Sequence, residues 1–199
     1  MTDGLAILLH GFGSNGDDLA GLAARWAPDL PDVRFSSPNA PERFLHGAGY
    51  QWFALDDITP ENRSQRVADA RHNVDRVLKQ VLQQQKMADK LDKVVLIGFS
   101  QGAIMALDAV VSGRWPVAGV VAFSGRLASP PPWKPAIAPL LLIHGMIDPV
   151  IPYAESQQAA DQLRRLGYPV TTQFEPSTGH TISAAGARSA AGFIAERLT

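Results

Sequence analysis

Four stretches of this chain are too continuously apolar to be surface strands: LAILL at 5–9, VVLIGF at 94–99, VAGVVAF at 117–123 and LLLIH at 140–144. A strand with one face in water alternates apolar and polar residues. An unbroken apolar run is stable as a strand only when both of its faces are covered. VRFS at 33–36 and VTTQF at 170–174 complete six strand candidates. The cover must come from the spans between them, which predict helices over 18–26, 64–88, 101–112, 154–166 and 182–198. In the second of these, Val67, Ala70, Val74, Val77, Leu78 and Val81 fall on one helical face. Such alternation predicts an α/β fold with a mostly parallel central sheet, flanked by helices joined through right-handed crossovers. Two irregular stretches, 38–63 and 127–139, have strand candidates on both sides, so a single domain over residues 1–199 is expected. In the second stretch Pro130, Pro131, Pro132 and Pro135 exclude a helix interior. No cap domain is therefore expected there.

One of the apolar runs stops at a serine between glycines, Gly98-Phe99-Ser100-Gln101-Gly102. The pattern G-x-S-x-G alone arises by chance in roughly one chain of this length in fifteen at ordinary Gly and Ser frequencies. Its setting says more, because a strand candidate precedes it and a helix candidate follows. That is what a nucleophilic serine on a sharp strand-to-helix turn requires. A plain glycine-rich turn with a helix-capping serine fits the same letters.

A serine hydroxyl needs a base, and the base needs an acid to hold its tautomer. Of the five histidines, His72 falls within a helix candidate and reads as a solvated face residue. His46 lies in the irregular loop. His10 and His144 each end a strand candidate before a glycine and read as packed turn histidines. His180, in STGHT, follows the last strand candidate. Asp148 follows the strand at 140–144, and Pro149 keeps it out of a helix. A turn-forming Asp-Pro explains Asp148 equally well when it is taken alone. The order Ser100, Asp148, His180 shifts the balance, because each stands in a turn after a strand candidate. Donors for an oxyanion are expected from the backbone N–H of Gln101 and from Phe12 in the loop HGFGSNG. That loop lacks the lysine of a phosphate-binding loop. Asp17 and Asp18 read as caps of the following helix.

With a net charge of −1 and no basic cluster, neither nucleic acid nor stable membrane association is expected. The absence of cysteine removes disulfides, thiolate metal sites and a cysteine nucleophile. The N-terminal apolar run, 5–9, is too short for a signal peptide, so a cytoplasmic location is expected.

LLHGFGSNGDDL, GFSQGAIMAL, HGMIDPVIP and GHTIS, in this order, resemble the phospholipase/carboxylesterase family of α/β-hydrolases, which includes bacterial carboxylesterases and acyl-protein thioesterases. The resemblance implies Ser100 as nucleophile, His180 as base, Asp148 as acid, and Phe12 and Gln101 at the oxyanion hole, with no metal and no cofactor. It also implies that Trp52, in Gln51-Trp52-Phe53, lines the pocket, although a core aromatic fits the residue equally well. Without a cap, the pocket is expected to be walled by Phe12, Trp52 and Met146. Two positions depart from the family pattern: Ala103 replaces a glycine, and Ala54 stands where an aspartate is usual. The expected partner is a small-molecule ester, with a homodimer compatible. A thioesterase or lysophospholipase is the nearest alternative activity, a cofactor-free haloperoxidase a more distant one, and a catalytically silent binding protein the alternative of another class.

Overall fold

The computed structural model describes residues 4–135 and 138–199. In chain order its elements are β1 (Gly4–Leu9), α1 (Gly16–Trp26), β2 (Val33–Ser36), β3 (Glu42–Arg43), β4 (Tyr50–Gln51), α2 (Arg63–Gln85), β5 (Val94–Phe99), α3 (Gln101–Val111), β6 (Gly119–Phe123), β7 (Leu140–Gly145), α4 (Tyr153–Arg165), β8 (Val170–Glu175) and α5 (Ala184–Leu198).

The six strand candidates form one sheet in the order β2-β1-β5-β6-β7-β8, with every neighbouring pair parallel. Successive strand residues point to opposite faces, and the packing follows that rule. Leu5, Ile7, Leu9, Val94, Leu96, Val120 and Leu142 join the core beneath α2, α3 and α4. Ala6, Leu8, Val95, Ile97, Val121, Phe123 and Ile143 join the core beneath α1 and α5. This accounts for the unbroken apolar runs. α3 has water on no side, and all of its residues are buried.

From β1 the chain moves outward to β2, then crosses back to β5 and builds in the opposite direction. The carboxyl ends of β1 and β5 therefore face a crevice where the strand order reverses, the usual ligand position in an open parallel sheet. The loops bearing Phe12 and Ser100 leave from those two ends.

The structure departs from the sequence expectations in detail. Residues 38–63 contain a small antiparallel pair, β3 with β4. It is clipped to the loop after β1 by Tyr50 N–H to Ser14 O (2.7 Å) and Gly13 N–H to Tyr50 O (2.9 Å). Pairs of two residues carry no periodicity to read. The cap of α1 is Asn15, not the aspartates: its side-chain oxygen accepts from Asp17 N–H (2.9 Å) and Asp18 N–H (3.3 Å). α5 starts two residues later than expected, where the Ser183 hydroxyl accepts from Gly186 N–H (2.8 Å). Among the described residues between β6 and β7 no helix forms. Ala136 and Ile137, part of that expectation, lie outside the described residues. No described helix is long and apolar enough to cross a membrane.

Candidate active site

Ser100 occupies the one-residue turn between β5 and α3, with φ 54° and ψ −117°. For a residue with a Cβ this is a strained conformation, costing about 1–3 kcal/mol. Surrounding bonds hold it in place: Ser100 N–H donates to Phe123 O (2.9 Å), and Ile104 N–H donates to Ser100 O (3.1 Å). The flanking glycines are required by contact. A Cβ on Gly102 would lie 2.0 Å from Leu9 O, and one on Gly98 would lie 2.4 Å from Ala103 N. Ala103 is accommodated because its neighbour is Gly125, where a Cβ would come within 2.7 Å of the Ala103 methyl.

The loops after β7 and β8 are zipped together by Met146 N–H to Glu175 O (2.8 Å) and Ile147 N–H to Thr178 O (3.2 Å). Through them Asp148 and His180 meet Ser100. His180 Nδ1 lies 2.7 Å from Asp148 Oδ2, and His180 Nε2 lies 3.0 Å from Ser100 Oγ. The second carboxylate oxygen accepts from Val150 N–H (2.8 Å) and Ile151 N–H (2.9 Å). Pro149 has no N–H, so the carboxylate reaches past it to the next two amides. Burial opposes ionisation of Asp148, but the bonds from His180, Ile151 and Val150 outweigh it and hold the carboxyl below its ordinary pKa. With the aspartate ionised, His180 Nδ1 donates, which leaves Nε2 to accept from Ser100. The ring of Phe99 packs 4.9 Å from that of His180.

The remaining histidines fall where the sequence suggested. His144 is buried; its Nε2 lies 2.7 Å from Ile151 O and 3.2 Å from Asp148 Oδ2, so it braces the loop bearing Asp148. His10 is also buried, and its Nε2 accepts from Ala40 N–H (2.9 Å) while Nδ1 donates to Gly11 O (2.7 Å). Burial lowers the pKa of both. His72 and His46 are exposed.

Phe12 and Gln101 both line the cleft with Ser100. Gly11 brings the loop after β1 close to Ser100, since a Cβ there would lie 3.5 Å from Ser100 Cβ. Phe12 is braced by Phe44, ring to ring at 4.7 Å. Gln101 has a second role that the motif does not reveal. Its side chain accepts from Trp52 N–H (2.8 Å) and donates to Phe53 O (2.7 Å), pinning the 52–53 segment.

Two expected wall residues do not line the cleft. Trp52 is fully buried, and its Nε1 donates to His10 O (2.8 Å), so it supports the loop after β1 from beneath. Phe53 takes the wall position. Met146 is held by its backbone to β8 and is not among the residues around the cleft, where Val150 and Ile151 form the wall. The cleft measures about 660 Å³. Among its other walls are Leu55, Ile58, Ile104 and Ile182, together with Arg63 and Arg126. Ile104 and Ile182 belong to the serine and histidine motifs, whereas Leu55, Ile58, Arg63 and Arg126 belong to none, and the first three of these come from the irregular stretch 38–63.

The chain resembles known proteins along most of its length. The family model described as Phospholipase/Carboxylesterase matches residues 2–198. The chain is 34% identical over 183 residues to Esterase YpfH of Escherichia coli (strain K12), covering 89% of this chain and 76% of that protein. It is 26% identical over 214 residues to Acyl-protein thioesterase 1 of Neurospora crassa, covering 96% of this chain and 86% of the other. Among solved structures it resembles that of esterase PE8, with a TM-score of 0.87 and 33% identity, covering 99% of this chain and 94% of that one. Matched along nearly its whole length, and with a parallel sheet that presents a strained serine, the chain is an enzyme of the phospholipase/carboxylesterase family on the α/β-hydrolase fold.

Proposed function

We propose that this enzyme is a serine carboxylesterase in which Ser100, His180 and Asp148 form the catalytic triad. The observation that carries the reading is the continuous chain from Ser100 Oγ to His180 Nε2 (3.0 Å) and from His180 Nδ1 to Asp148 Oδ2 (2.7 Å). The substrate is a small-molecule ester of short to medium acyl length. His180 takes the hydroxyl proton as Ser100 Oγ bonds to the acyl carbon, and Asp148 stabilises the imidazolium that forms. The negative charge developing on the carbonyl oxygen is met by the Phe12 and Gln101 N–H groups. His180 then delivers the proton to the departing alcohol. Water, deprotonated by the same imidazole, attacks the acyl-enzyme and releases the acid and free Ser100.

The same residues would cleave a thioester, and the similarity to an acyl-protein thioesterase makes that the second reading. Incubation with a fluorophosphonate probe should label Ser100 and abolish hydrolysis in parallel. Matched oxyesters and thioesters, graded in acyl length, then separate the two activities. A fully active, unlabelled enzyme would sink the triad assignment.

A further inference from the structure

The cleft holds charge that the hydrolytic steps do not use. Arg63, the first residue of α2, and Arg126, just beyond β6, both line it. They lie on the side walled by Phe53, Ile58, Ile104 and Ile151, residues that pack with the core beneath α2, α3 and α4. The side chain of Arg126 is only 13% exposed, and its one ion pair among the described residues is with Glu155 at 3.8 Å. That is beyond hydrogen-bonding reach. Neither guanidinium donates to a protein acceptor among the described residues, in contrast to Arg71 and Arg114, which are bound in short bonds to Asp108. Burial lowers the pKa of Arg126, Glu155 opposes the shift, and the like charge of Arg63 adds to it, so the two cations sense each other. Two crowded, under-bonded guanidinium groups beside an apolar wall are unfavourable until an anion joins them.

The opposite side of the cleft has the other sign. Asp18 lines it beside Leu19 and Ile182, residues that pack with the core beneath α1 and α5. Its carboxylate accepts from the Ser14 hydroxyl. Charge is thus polarised across the cleft from one face of the sheet to the other, with Ser100 at the strand end between them. An anionic substrate is attracted at the arginine side and repelled at the Asp18 side.

We infer that the ester this enzyme hydrolyses carries an anionic group, a carboxylate or a phosphate, and that Arg63 and Arg126 select it by binding that group along their side of the cleft. The inference rests on the ester-hydrolase reading above. Guanidinium forks suit the paired oxygens of either anion, and charge-assisted bonds of this kind are worth about tenfold to a hundredfold in affinity.

The test compares kcat/KM for pairs of esters matched in length. In one arm the 4-nitrophenyl monoester of glutaric acid is set against 4-nitrophenyl pentanoate. In the other, an acyl glycerol phosphate is set against the corresponding acylglycerol. The wild-type enzyme should favour the charged member by about tenfold or more in at least one arm, and the arm that responds distinguishes carboxylate from phosphate. Arg126→Gln and Arg63→Gln should each lower that charged-to-neutral ratio several-fold. Arg126→Lys should restore part of it, and added salt should reduce it in the wild type. Should Arg126→Gln fail to fold, Arg63→Gln and the salt series still decide the matter. A ratio at or below one in both arms, or a preference indifferent to both substitutions, overturns the inference. Hydrolysis of the neutral members in the same assay would leave the ester-hydrolase reading standing.

Discussion

Ser100 combines a positive φ with hydrogen bonds from both sides of its peptide, so its position is set by the elbow and not by its hydroxyl. Ser100→Ala removes one oxygen and leaves the backbone demand unchanged. It should melt close to the wild-type temperature yet lose nearly all ester hydrolysis, keeping a residual rate of roughly 10³–10⁴ over water from the oxyanion donors and binding alone. Turnover near the wild-type level in clean protein would contradict the mechanism. Asp148→Asn should lower kcat by about 10⁴, since an amide favours the wrong imidazole tautomer. It should also change stability in a pH-dependent way. The carboxyl of Asp148 titrates below its ordinary value. Its stabilising contribution is therefore complete above the ordinary carboxylate range near about pH 4 and is lost as pH falls through the lower folded value. The stability gap between wild type and Asp148→Asn, read from urea midpoints, should close on acidification. A gap that widened would show that the bonds to His180 and the Val150 and Ile151 amides do not dominate.

At the level of elements, the site depends on how closely α3 approaches β1. Gly102 is the contact point, where any Cβ would meet Leu9 O at 2.0 Å. Backbone cannot yield there without moving α3 and the elbow with it. Gly102→Ala should cost about 1–3 kcal/mol or more and reduce activity as well. Gly21 in α1 and Gly192 in α5 are the useful contrast, since both are exposed and a Cβ at either meets nothing within 4 Å. Alanine at these two positions should stabilise by about 0.4–1 kcal/mol each, by reducing the freedom of the unfolded chain. Equal effects at all three positions in chemical denaturation would mean that close packing is not what the motif glycine provides.

For the whole molecule, two buried histidines make stability sensitive to mild acid. His10 and His144 have pKa values lowered by burial. Below about pH 6.5 the unfolded chain takes up protons that the folded chain refuses at these positions. Stability should therefore fall from pH 7 toward pH 5, by at most about 1.4 kcal/mol per pH unit for each histidine, until the folded values are reached. His10→Gln should flatten that slope. The cleft adds a kinetic consequence, because no helix covers it from the described part of the β6–β7 connection. Rates on a soluble short-chain ester should rise smoothly with concentration, with no jump where the ester begins to form micelles. A sharp rise at that point would reveal a lid.

The strands were legible because a doubly covered sheet demands unbroken apolar runs, and each of those runs became a parallel strand. The Ser100, Asp148 and His180 positions were legible for a related reason: they follow β5, β7 and β8, so parallel strand order brings them to one edge of the sheet. What surrounds them was not legible. The β3–β4 pair, the burial of Trp52 beneath the loop after β1, and the displacement of Met146 by Val150 and Ile151 depend on loops meeting loops, which leaves no period in the chain. Asp108, fully buried between Arg71 and Arg114, reads in sequence as an ordinary polar helix residue, because Arg71 lies on α2 and Arg114 in the turn beyond α3. Arg63 and Arg126 are separated by α2, β5, α3 and β6 and converge only in the folded cleft. The sequence by itself determined the sheet and the placing of Ser100, Asp148 and His180 at its edge, since both follow from local patterns of apolar residues and turns. The shape and charge of the cleft were decided only by tertiary structure, because they arise from side chains that distant segments bring together.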